Sequence, residues 1–163
     1  MTTKLNSFIL KDETINLMKD LLERTSNTGL EHGFDLCLNQ KTQKITGRNT
    51  CIGTNCEVST KAECKREEIY KGVYHTHPSG SEPSMNDLVG GLVRGISCIG
   101  AVKDDTIKCY VKKKIPEKEE SIVIEEAIKL IKKGYRLTVD EMFMKMGFQD
   151  YIIKKYFETI DIK

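Results

Sequence analysis

A chain of 163 residues with 26 Lys+Arg against 24 Asp+Glu carries a formal net charge of +2, which gives it no general attraction to nucleic acid or acidic membranes. Hydrophobic residues make up 39%, too many for a disordered chain, and no run approaches the ~20 apolar residues of a membrane span. One domain with a small appendage is expected, and an N-terminus that breaks early into charge predicts a cytoplasmic protein whose six cysteines are thiols by default.

The short apolar run Leu5 to Leu10 reads as a first strand. Asp12 opens a helix with Ile15, Met18, Leu21 and Leu22 on one face, ended by the turn residues Ser26-Asn27-Thr28-Gly29. From Glu31 to Leu38 the pattern alternates. Phe34, Leu36 and Leu38 share a face with His32, and Glu31, Gly33, Asp35 and Cys37 share the other, as in a half-buried strand. A turn at Asn39-Gln40-Lys41 leads to a return strand from Lys44. Residues 49–68 are polar and predict a loop; Ile69 to His77 is a further strand. Ser84 opens a helix through Ile96, and Cys98 to Lys103 with Thr106 to Lys112 form a hairpin.

After Pro116 the pattern turns helical. Ser121 starts a helix with Ile124, Ile128 and Ile131 in register, closed by Gly134. A short helix to Met146, Gly147 and a second helical run from Gln149 to Ile160 follow. The expectation is a three-layer α/β domain over residues 1–115, a mixed sheet flanked by helices, with a helical C-terminal extension over 116–163.

The stretch His75-Thr76-His77-Pro78 through Ser84-Met85-Asn86-Asp87 holds two of the three histidines. On a strand, residues i and i+2 point the same way, so His75 and His77 can offer two imidazoles to one ion. Pro78-Ser79-Gly80 turns the chain back, and Asp87 in the first turn of the next helix can return a carboxylate. Two neutral imidazoles, one carboxylate and an open position make a catalytic zinc arrangement, in which bound water reaches a pKa of about 7. Plainer readings stand beside this one. A His-x-His pair can simply face solvent, and Ser84-x-x-Asp87 is also a helix N-cap with favourable charge in the first turn.

A glutamate on an upstream strand, then His-x-His-Pro and Ser-x-x-Asp, resembles the JAMM/MPN+ zinc metalloproteases. Six residues separate His77 from Ser84, one fewer than in the family pattern, and Gly33 follows Glu31 by two positions where the family has three. The resemblance implies the JAMM/MPN fold, related to that of cytidine deaminase. It implies Zn2+ held by His75, His77 and Asp87. Glu31 would be the general base that activates water and protonates the leaving amine, and Ser84 would steady the oxyanion. Glu57 and Glu68 are the substitutes for Glu31, and His32 points away. The implied substrate is an amide bond linking a ubiquitin-like protein to its target. A non-catalytic scaffold or DNA-associated module on the same fold, and a peptidase trimming the C-terminus of a sulfur-carrier protein, are the alternatives. Nucleobase deaminases, metallo-β-lactamases and H-E-x-x-H enzymes fit worse, because their further motif residues are absent.

Cys51, Cys56 and Cys64 lie in the polar excursion. They are open to a structural zinc, a disulfide or separate thiols, whereas Cys37, Cys98 and Cys109 fall in strands and are most simply core residues. The tail from residue 137 to 160 has a helix-turn-helix outline, but Asp150, Glu158 and Asp161 offset Lys154 and Lys155. A helical cap burying Met142, Phe143, Met146, Phe148, Ile152, Tyr156 and Phe157 is favoured over a nucleic-acid partner.

Overall fold

The alternating segments become strands of one sheet. In the computed structural model, residues 3–56, 63–80, 82–114, 125–126, 129 and 139–163 are described. In chain order the elements are β1 (Thr3–Leu5), β2 (Phe8–Leu10), α1 (Asp12–Thr28), β3 (His32–Asn39) and β4 (Lys44–Ile52). A 3-10 turn (Gly53–Cys56), β5 (Glu68–His77), α2 (Met85–Arg94), β6 (Ile96–Ala101) and β7 (Thr106–Lys112) follow, then α3 (Val139–Tyr156) and β8 (Phe157–Ile162). The eight strands lie in the order β1-β2-β4-β3-β5-β6-β7-β8. Pairing is parallel at β2/β4 and β5/β6 and antiparallel elsewhere.

Helices cover both faces. Ile15, Met18, Leu21 and Leu22 of α1 pack on Phe34, Leu36, Leu38, Tyr74 and Ile96. Gly29 ends α1 in the left-handed region, with φ 72° and its N–H on the Thr25 carbonyl. On the opposite face Met85, Leu88 and Leu92 of α2 meet Ile152 and Tyr156 of α3 over Ile99 and Tyr110. Burying such side chains supplies most of the driving force for the fold, about 1.5–3 kcal/mol each.

Several expectations are corrected. Leu5 to Leu10 is a tight hairpin, because Asn6 takes φ 61° and turns the chain between β1 and β2. β3 is buried on both faces, so Asp35 and Cys37 do not face solvent. The return strand β4 runs on to Ile52, into the segment expected as loop. The tail is no helix-turn-helix: α3 continues straight through Gly147 and stops at Tyr156. Residues 157–162 are a strand, not helix, and β8 pairs with β7 along its length, from Ile107↔Ile162 to Lys112↔Phe157. The last residues are therefore part of the sheet. The expected helix over 121–134 lies outside the described residues apart from Glu125, Glu126 and Lys129, which are helical. The side chains of Met142, Phe143, Met146 and Phe148 lie outside them too.

The cysteines are not thiols. Cys37–Cys64, Cys51–Cys56 and Cys98–Cys109 are disulfides, and no cysteine is free. Cys98 and Cys109 are register partners on β6 and β7. Among the described residues no helix is long and apolar enough to cross a membrane.

Glu68, at the start of β5, is held by Arg48 of β4 through two parallel bonds, Nε to Oε1 at 2.7 Å and Nη2 to Oε2 at 2.8 Å. The Arg48 bonds, against the opposing effect of burial, hold the Glu68 carboxyl below its ordinary value of 4.5. A depressed carboxylate stabilises the fold above its unfolded pKa and loses that contribution as pH falls through the folded value. Arg48→Met should lower the denaturation midpoint at neutral pH and flatten its decline between about pH 5 and pH 3. Superimposable pH profiles for variant and parent would contradict this.

Candidate metal centre

Strand parity builds the site. Tyr74 and Thr76 of β5 point to the α1 face, so His75 and His77 point to the α2 face. His75 stands opposite Gly33 of β3. A Cβ on Gly33 would run into the Tyr74 carbonyl and come within 2.9 Å of His75 Cδ2, so the absent side chain makes room for the imidazole. Glu31, just before β3, then reaches His75 from the neighbouring strand, with Oε1 3.1 Å from Nδ1. Its backbone is braced from the other side: the Glu31 carbonyl accepts the Gly53 N–H at 2.6 Å, beside the Cys51–Cys56 disulfide.

A capping box supplies the other half. Ser84 Oγ accepts the Asp87 N–H at 3.1 Å, and the Asp87 carboxylate accepts the Ser84 N–H at 2.8 Å. That fixes Asp87 with one oxygen 3.3 Å from His77 Nε2 and the other 3.7 Å from His75 Nδ1. The N-cap reading and the ligand reading of Ser84-x-x-Asp87 thus describe the same geometry. Because Ser84 Oγ is the acceptor in the cap, its own proton is not used there. The α2 N-terminus is tied down further by Gln149 of α3, which donates to the Pro83 carbonyl at 3.2 Å.

These groups line one cavity of about 700 Å³. Burial favours neutral His75, but Glu31 and Asp87 beside it outweigh that and lift its pKa above the ordinary value. Burial likewise raises Asp87, but His77, the Ser84 N–H and His75 overcome it and hold the carboxyl low. The two carboxylates and the two imidazoles thus bear directly on one another. Tetrahedral zinc wants its donor atoms about 3.3 Å apart, close to the spacings from Asp87 to either ring. Among the described residues, the three donors that all lie within 4.8 Å of one another are Cys37, Cys64 and Glu68. Two of these are joined as a disulfide and the third is engaged by Arg48. His75, His77 and Asp87 are not drawn together that tightly, since each imidazole rests on Asp87 separately. The donor types fit zinc, with Asp87 at the hinge of the set.

Of the substitutes for Glu31, Glu68 sits at the far end of β5 on Arg48, and Glu57 lies outside the described residues. His32 is buried on the α1 face, with Nδ1 2.9 Å from Thr25 Oγ1 and its backbone N–H donating to Thr76 Oγ1 at 2.8 Å. It braces β3 and stands away from the cavity. Three further polar residues lie at the cavity or beside it. Asp35, accepting from Asn49 Nδ2 at 2.9 Å, was visible as sharing the Glu31 face. Arg94 follows Asp87 by seven positions, two helical turns along the same side of α2, and Ser97 lies two pleats from His75 on the adjacent strand; both line the cavity. No family model matches the chain, and no curated protein matches it.

Proposed function

We propose that this chain is a zinc-dependent amide hydrolase of the JAMM/MPN+ type that cleaves the bond between a ubiquitin-like protein and its target. The observation that carries the hydrolase reading is the convergence of Glu31, His75, His77, Ser84 and Asp87, drawn from three separate elements, on one cavity. The JAMM/MPN fold and the ubiquitin-like substrate come from the sequence resemblance.

His75, His77 and Asp87 would hold the ion. Zinc held there supplies Lewis acidity, acidifying water and polarising an amide carbonyl. Glu31, at the edge of that cluster, takes the proton from the attacking water and delivers it to the leaving amine, the work of a carboxylate that is both near and only partly buried. Ser84, its hydroxyl proton unspent by the cap, donates to the carbonyl oxygen as negative charge develops on it. The capping box holds Ser84 and Asp87 in register with each other.

The test is elemental analysis of the purified chain combined with cleavage of a linear ubiquitin-like fusion. One zinc per chain and cleavage abolished by a chelator are expected, with activity returning on zinc addition. A chain that takes up no zinc and leaves the fusion intact would favour the scaffold reading instead.

A further inference from the structure

Beyond the histidines the cavity lining includes a cation, the exposed side chain of Arg94. Arg94, in the last turn of α2, lines it with its guanidinium 4.9 Å over the Tyr70 ring. That stacking keeps the planar fork in one orientation. Among the described residues no carboxylate forms an ion pair with it. Asp35, the acidic residue whose field it shares, is hydrogen-bonded by Asn49 instead. Gly90 leaves the guanidinium its room, since a Cβ there would come within 3.3 Å of Arg94 Nη1.

A second polar group at this end lacks a partner. Ser97 of β6 is 1% exposed, lines the same cavity, and its Oγ makes no hydrogen bond among the described residues. Buried hydroxyls are nearly always bonded, so an orphan in a residue that lines a cavity is a group that a ligand atom could satisfy. Ser97 pairs with Val73, two residues before His75, which sets it roughly 7 Å back along the strand direction from His75.

An unpaired guanidinium and an orphan hydroxyl at one end of a cavity match a carboxylate, which takes two N–H bonds from arginine and one O–H bond from serine. We propose that Arg94 and Ser97 form a carboxylate-binding subsite that selects ligands carrying an acidic group. Resting on the hydrolase reading, the spacing puts that group roughly two residues from the cleaved bond.

Binding by the zinc-free protein tests this without any turnover. Three probes are compared by NMR titration, following the Arg94 Nε–H and the Ser97 amide. N-acetyl-Gly-Glu-amide offers a side-chain carboxylate, N-acetyl-Gly-Gly a terminal one, and N-acetyl-Gly-Gln-amide is the neutral control. At least one acidic peptide should bind about tenfold tighter than the control and shift both signals, as expected for one charge-assisted pair. The tighter of the two identifies the source of the carboxylate. Arg94→Met should erase the preference, Arg94→Lys should keep part of it, and Ser97→Ala should weaken it severalfold. Equal binding of all three peptides, or a preference that survives Arg94→Met because the imidazoles provide it, would overturn the subsite. Failure of the chain to hydrolyse amides would leave this result standing, so the two proposals fall separately.

Discussion

Glu31→Gln is expected to keep one zinc per chain and to lose about 10²–10⁴-fold in cleavage rate, the usual worth of a positioned general base. Glutamine has nearly the same volume and its side chain can still hydrogen-bond His75 Nδ1, now 3.1 Å from Glu31 Oε1. It cannot accept a proton from water. The ion should stay because His75, His77 and Asp87 are untouched. Zinc content by elemental analysis and single-turnover cleavage separate the two effects. Cleavage within a few-fold of the parent would remove Glu31 from its role; loss of zinc would make it a ligand.

The second large effect concerns stability. Cys37–Cys64 closes a loop with a sequence separation of 27, the longest of the three crosslinks. In the chain-entropy account such a loop is worth about 3–4 kcal/mol, because the crosslink restricts the unfolded chain. Replacing both cysteines by alanine should lower unfolding free energy by that order in a denaturant titration. Reduction should then lower the midpoint of the parent more than that of the variant, which loses only its two remaining crosslinks. Thiol counting under denaturing conditions should give none before reduction and six after. Six thiols in the unreduced chain would refute the crosslinks and restore the expectation of thiols.

Elements whose side chains repeat on a fixed period could be read from sequence. Phe34, Leu36 and Leu38 alternate, and Ile15, Met18 and Leu22 follow a helical face, so β3 and α1 lie close to where the pattern puts them. The candidate site was legible for a similar reason. His75 and His77 two apart on a strand, and Ser84 and Asp87 three apart at a helix start, are local geometries that spacing alone dictates.

What failed was decided by partners far along the chain. Phe157 to Ile162 follows α3 with no glycine or proline to mark a boundary. It becomes a strand because β7 otherwise leaves its outer backbone groups unpaired. Gly147 looked like a turn and is helical; further along the same helix Ile152 and Tyr156 pack on α2, a tertiary contact that propensity does not reveal. Cysteine pairing is likewise invisible to spacing: Cys98 finds Cys109 because two strands bring them into register. Arg94 and Ser97 sit on elements that were read correctly, but their convergence on one cavity depends on how α2 lies across the sheet.

The alternation of β5 has a consequence for how this chain can vary. Tyr74, fully buried, donates to the Met18 carbonyl at 2.8 Å, and Thr76, also fully buried, ties β3 to α1 through His32 and Thr25. His75 and His77 between and beyond them face the cavity. Successive positions on one strand thus serve two environments. A substitution at Tyr74 or Thr76 reaches the framework that ties β5 to β3 and α1, whereas one at His75 or His77 alters the cavity lining; the two kinds of consequence are interleaved at every second residue.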